Sequence, residues 1–359
     1  YHIMTLRLIV SFFFFATISY ASSINGEPVD GTHQEDKFQP GDMIMHHILD
    51  AHDWHILDWK GHAISIPLPI ILLHEGRGLK IFSSSKFKPH HDHGYSTHLG
   101  YKLDHGSIVF VNDDETINTE ETAKIWDVSI TKNVFSLLFS IMLLLSMFLF
   151  ISNRYRKHNN KAPSGIQSLL EPIIIFIRDD IAKSAIGEKD YQRYLPFLLT
   201  VFFFIFLNNL LGLVPFFPGG ANLTGNIAVP MVMAGLVFII TTLSGKKYYW
   251  KHIFAMPGVP KPVLLILTPI EIFGVFLKPL VLMIRLFANI TAGHIIILSF
   301  FSMIFIFGEM HPFAGYGVSI FSGLFVLFMM TLELLVAFLQ AYVFTLLAAM
   351  YFGMAVEEH

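Results

Sequence analysis

The chain has 359 residues, of which 53% are hydrophobic and only 14% charged, and its mean hydropathy is +0.57. A soluble domain carries about 25% charged residues, so this composition is that of a polytopic membrane protein, and a net charge of −3 gives no reason to expect a nucleic-acid partner. The absence of cysteine excludes disulfides, zinc–thiolate sites and cysteine-ligated iron–sulfur clusters.

In chain order, "MTLRLIVSFFFFATISYASS" comes first. One arginine, a short apolar run and a small-residue site make residues 1–21 a signal peptide by pattern. The other reading is a first membrane anchor. Either places the following segment outside the cytoplasm if the early arginine sets orientation. Residues 22–130 are polar, rich in histidine and broken by Gly and Pro, with short alternating stretches such as "HAISIPLPIILL" and "SIVFVND". They predict a small extracytoplasmic extension with a few strands and modest order. Within it, "HHDHGYSTH" sets His90, His91, Asp92, His93 and His98 close together. The histidines 90, 91 and 93 are candidate transition-metal ligands, but no second cluster completes a ligand set. A solvated, pH-sensitive loop is the preferred reading.

The membrane domain spans 131–359. "NVFSLLFSIMLLLSMFLFISN" is long enough to cross, and the basic flank "RYRKHNNK" that ends it belongs in the cytoplasm. "SLLEPIIIFIRDDIAKSAIGEKDY" is amphipathic and too charged to span, so it lies at the interface. "LPFLLTVFFFIFLNNLLGLVPFF" crosses outward, "PGGANLTGN" turns, and "IAVPMVMAGLVFIITTL" returns to a second basic loop, "SGKKYYWKH". Segments of about 262–307 and 317–356 follow, joined at "GEMHPFAGYG". The fold expected is therefore all-α and polytopic, with about five crossings and a cytoplasmic C-terminus. The last two arms are each about twice the ~20 residues that a perpendicular span needs. They form a long tilted helical hairpin, a shape suited to wrapping something else in the bilayer.

That hairpin carries ionisable groups, which cost about 2.5–3.5 kcal/mol each at the bilayer centre and mark ion pathways by default. Glu271, Lys278 and Arg285 recur every seven residues and so share one helix stripe, with Asn289 one turn beyond; Glu333 and Gln340 repeat this spacing on the second arm. Pairing Arg285 with Gln340, or His294 with Glu333, puts the hairpin's midpoint at Pro312–Ala314, where Gly and Pro independently predict the turn. His294 falls nine residues after Arg285, on the opposite face of a straight helix, so the two serve different compartments or the helix bends. Structural roles stay open beside these readings. Arg285 is too deep to snorkel, but Glu271 with Lys278, His294 with Glu333, and Asn289 with Gln340 are also plausible packing pairs.

With these residues in hand, the chain resembles ATP synthase subunit a. "KPLVLMIRLFANITAGH" looks like that family's signature, and "NNLLGLVPFFPGGANLTGNIAVPM", "TPIEIFGVFLKPL" and "LLVAFLQAYVFTLLAAMYFGMAVEEH" extend the likeness over roughly 132–359. The resemblance implies a non-catalytic, proton-translocating stator subunit in a bacterial cell membrane, with no cofactor. Its partners would be the rotor ring of c subunits, the peripheral-stalk b subunits, the rest of the synthase and membrane lipids. It implies that Arg285 is the essential arginine between two half-channels, that Asn289 and Gln340 are the polar residues near it, and that Glu271 and Lys278 lie on the conductive face. His294 and Glu333 hold positions where many bacterial members carry Glu and His in reverse order. A sodium-driven version of the same machine is one alternative. A secondary transporter is another, but no internal repeat supports it.

Overall fold

A computed structural model describes residues 40–59, 62–87, 96–104, 106–112, 114, 116–157, 165–214, 217–256 and 259–357. The signal-peptide segment and the candidate ligands His90, His91 and His93 lie outside these residues. His98 is described; its ring meets that of Phe82 at 5.2 Å.

The extension is more ordered than its composition suggests. After helix α1 (Pro40–Ile48) come β1 (Asp53–Trp59), β2 (His62–Pro67), β3 (Pro69–His74), β4 (Gly78–Ser83), β5 (Tyr101–Asp104) and β6 (Ser107–Phe110), then a single turn α2 (Thr119–Thr122) and β7 (Ile125–Asp127). These strands make two antiparallel hairpins, β1–β2 and β5–β6, and a three-stranded sheet in the order β4–β3–β7. The β3–β4 turn works because Gly76 and Gly78 take positive φ (86° and 77°), a region closed to most residues. Alternation along β3 sends Ile70, Leu72 and His74 inward. There Ile70 and Leu72 pack with Tyr101, Leu103, Ile108 and Phe110 into a core of their own.

The domain is clasped to the first membrane helix, α3 (Lys132–Lys157). The Lys132 amide donates to Ala51 O, and the Asn133 amide donates to Asp50 Oδ1. Asp50 thus caps a helix from 83 residues away in the chain, satisfying a first-turn N–H that has no partner inside the helix. Buried Trp54 meets the rings of Phe135 and Phe217 edge-on, at 5.7 and 5.3 Å.

The interfacial segment forms α4 (Ile166–Phe176), a π-helical stretch at Ile177–Lys183 and a last turn α5 (Ser184–Ile186). Its buried residues Ile177, Ile181 and Ala182 join the membrane core. α6 (Tyr191–Leu213) runs through that core and packs chiefly against the last helix. α7 (Ala228–Ser244) has 17 residues and bends by 103° into α8 (Lys247–Phe254), so the basic loop expected here is helical. α9 (Lys261–Met310) and α10 (Pro312–Val356) complete the chain.

Among the described residues, four helices are long and apolar enough to cross a membrane, or five if α7 with α8 counts as one. The turn between the final arms is tighter than "GEMHPFAGYG" implies. Both helices continue through it, and His311 alone is extended between them. Two glycines permit this closure: a Cβ on Gly315 would lie 2.8 Å from Gly308 Cα. At 50 and 45 residues, α9 and α10 are about 75 and 68 Å long, against a hydrocarbon core of about 30 Å. They must tilt far from the membrane normal. Small residues of α10, Ala337, Ala341, Ala348 and Ala349, are buried and let neighbouring helices approach closely.

Candidate functional site

The two arms pair antiparallel about the expected turn, but Gln340 meets Asn289, one turn from the Arg285 that the sequence set opposite it. The Phe300 and Phe325 rings lie 3.9 Å apart, tilted by 30°, and the Asn289 side-chain amide donates to Gln340 Oε1 at 3.0 Å. Gln340 is buried. Gly293 backs onto Glu333, whose carboxylate fills the space that a side chain at 293 would need.

One turn from Asn289, Arg285 is exposed on α9. Two recesses flank it along the helix. The first lies between α6, the loop before α7, and the hairpin, and is lined by Asn208, Asn209, Asn222, Asn289, His294 and Glu333, among others. The second is mostly apolar, with Val237, Phe238, Val275, Pro279 and Met354 around Lys278, Thr241, Tyr249 and Tyr351. Arg285 lines neither. Lys278 lies seven residues to one side, about 10 Å along the axis, and His294 nine residues to the other, about 13 Å.

The first recess is polar and incompletely satisfied. Asn209 Oδ1 accepts from the Thr224 hydroxyl (2.8 Å), and Asn208 Nδ2 donates to Phe204 O (2.8 Å). Glu333 Oε2, Asn208 Oδ1 and both side-chain polar atoms of Asn222 are buried without hydrogen-bond partners among the described residues. Buried polar atoms without partners are costly. In the second recess the Lys278 ammonium lies 5.6 Å from the Tyr351 ring centroid and 3.9 Å from Met354 Sδ.

Asn289, His294 and Glu333 therefore come together, Gln340 joins through Asn289, and Lys278 belongs to the other recess. Glu271 is half-buried on α9, and none of the contacts just described includes it. Asn208, Asn209, Asn222 and Thr224 were not singled out from the sequence. Their signal was present as an Asn pair inside an apolar span, a costly placement that calls for a reason.

Residues 134–353 match the family of the ATP synthase A chain. The chain belongs to the ATP synthase subunit a family. Among its relatives, the protein named ATP synthase subunit a from Chloroherpeton thalassium is 42% identical over 240 residues, covering 65% of this chain and 69% of the relative. ATP synthase subunit a 2 from Prosthecochloris aestuarii is 44% identical over 237 residues, 64% of this chain and 69% of the relative. ATP synthase subunit a from Myxococcus xanthus is 40% identical over 236 residues, 64% and 74%. Residues 43–128 match a second family, described only as a domain of unknown function. Family membership makes the chain a multi-pass membrane component of the ATP synthase and not an enzyme on its own.

Proposed function

We propose that the chain is the proton-conducting stator of the synthase, with Arg285 as a fixed charge between two half-channels that open to opposite sides of a bacterial inner membrane. The observation that carries this reading is the placement of Arg285, exposed on α9 between a recess holding Asn289, His294 and Glu333 and another holding Lys278, and lining neither. An arginine stays protonated at any physiological pH. A rotor carboxylate passing it is favoured in its ionised form. A proton then leaves the c subunit on one side of Arg285 and rebinds on the other, and the same charge opposes direct leakage between the recesses.

In this scheme the recess holding Asn289, His294 and Glu333 is the inlet from the extracytoplasmic side, because these residues lie nearer the α9–α10 turn than Arg285 does. Histidine and glutamate there relay protons, both being side chains that take up and release one. Lys278 and Glu271 belong to the exit side. The exposed faces of α9 and α10 receive the c ring, the b subunits hold the chain still, and both the β-domain and the α9–α10 turn lie outside the cytoplasm.

The test is Arg285→Ala in the assembled synthase, in inverted membrane vesicles. ATP synthesis driven by an imposed proton gradient should fall to background while the complex still assembles. Retained synthesis would remove Arg285 from the mechanism.

A further inference from the structure

The β4–β3–β7 sheet has two unlike faces. One carries Ile70 and Leu72 into the domain core. On the other, antiparallel register sets Leu73 beside Leu79 and Trp126, and Ile71 beside Ile81. Val128 joins that second row through its amide, which donates to Ile71 O. These two rows hold six apolar side chains and no charge. Leu73 is 49% exposed, Leu79 59%, and Ile81, Trp126 and Val128 64% each. Single exposed apolar residues are ordinary, whereas a contiguous patch marks a contact surface.

We propose that this face is a membrane anchor, seated in the headgroup–acyl boundary of the bilayer beside α3. The chain's own connections argue for lipid as the occupant. Only residues 128–131 separate β7 from α3. Sheet pairing continues through that link, with the Ile130 amide donating to Pro69 O, and the clasp at Ala51 and Asp50 fixes the helix's first turn to the same domain. Trp126 is six residues from Lys132, at most about 20 Å along an extended strand.

The helix fixes the depth. Twenty-six residues make α3 about 39 Å long, against a hydrocarbon core of about 30 Å. Its far end carries Arg154, Arg156 and Lys157, which belong in one headgroup layer. Its first turn therefore stands in the opposite layer. From its first turn onward, α3 itself exposes Val134, Leu138, Ile141, Met142 and Leu145. Tryptophan is the side chain enriched at this depth, where its ring is buried and its N–H stays wet. Leucine, isoleucine and valine around it supply the inserted surface.

The test uses the full chain, which lacks native cysteine. Leu79→Cys and Ile81→Cys variants are labelled with a nitrobenzoxadiazole fluorophore and placed in phosphatidylcholine–phosphatidylglycerol vesicles. Glu120→Cys, at a side chain 87% exposed on α2, serves as the aqueous control. Lipids brominated in the acyl chain should quench the labels at 79 and 81 and shift their emission to the blue, while iodide quenches only the label at 120. If iodide quenches 79 and 81 as it does 120, the face is in water and the anchor is wrong. If neither quencher reaches 79 and 81, protein covers the face, whether residues 1–39 or a second copy of the chain, and the anchor is equally wrong.

Discussion

Gly293 of α9 leaves empty the space that the carboxylate of Glu333 on α10 occupies. A methyl group at 293 would overlap Glu333 Oε1, and its Cδ lies 2.9 Å from the same position. Glycine in a helix costs about 1 kcal/mol relative to alanine. Here it lets an acidic side chain lie against the backbone of the neighbouring helix, with its other oxygen in the polar recess. Gly293→Ala should therefore expel or tilt the carboxylate, at an overpacking cost of about 1–3 kcal/mol. Proton pumping by the assembled complex should drop. Adding Glu333→Asp, one methylene shorter, should recover part of the loss. Equal pumping by wild type and the alanine variant would show that the carboxylate's position does not matter.

Glu333 and His294 line the same recess from adjacent helices. If the pair works as a relay, it needs one acid and one imidazole more than a fixed order. The exchange variant, His294→Glu with Glu333→His, should assemble and conduct better than either His294→Ala or Glu333→Gln. Gradient-driven ATP synthesis by the four proteins, set against the amount of complex in the membrane, gives the ranking. Failure of the exchange variant to assemble would make the pair structural.

The hairpin and its polar stripe were legible in the sequence because two signals agreed. Charges every seven residues put Glu271, Lys278 and Arg285 on one stripe, and Gly and Pro marked a turn at the matching midpoint. The turn's tightness was not legible. Gly308 and Gly315 read as loop residues, whereas they act as a contact between two continuous helices. The recess was only half visible. His294 and Glu333 stood out as charges in apolar runs, but Asn222 sat in a stretch that reads as a turn, and turn residues do not announce that they line a cavity. The β-domain was underestimated for a different reason. Its apolar residues are short alternating runs among histidines and acids, and its core forms only when β3 and β5–β6 meet across about 30 residues of chain.

Asn289 and Gln340 join the hairpin next to Arg285 through one hydrogen bond of 3.0 Å. Such bonds in membranes average about 0.6 kcal/mol and reach about 1.7 kcal/mol. A double-mutant cycle with Asn289→Ala and Gln340→Ala should give a coupling in that range, read from thermal unfolding of the detergent-solubilised chain. Gln340 is buried, so Asn289→Ala alone should cost about 1–3 kcal/mol by stranding its carbonyl. A coupling indistinguishable from zero would mean that the bond adds nothing to the hairpin.

Asp127 offers a pH test of how the β-domain is held. Burial pushes its proton affinity up, but hydrogen bonds with His52 and Ser129 outweigh that, and its pKa lies below the ordinary 3.8. His52 Nε2 is 2.9 Å from Asp127 Oδ2, and the Ser129 amide donates to Oδ1 at 2.9 Å. A carboxylate with a depressed pKa in the folded state adds stability that is complete above its unfolded value and drains away as pH falls through the folded value. Amide exchange at residues 69–74 and 125–130, corrected for intrinsic rates, should hold steady down to about pH 4 and then accelerate. Asp127→Asn should exchange faster at neutral pH, by about 1–2 kcal/mol of lost protection. It should also show a smaller acid-induced change, since the titrating group is gone. An unchanged acid response in Asp127→Asn would assign the transition to another carboxylate, with Glu121 the next to test because its hydrogen bond with Lys124 also holds its pKa down.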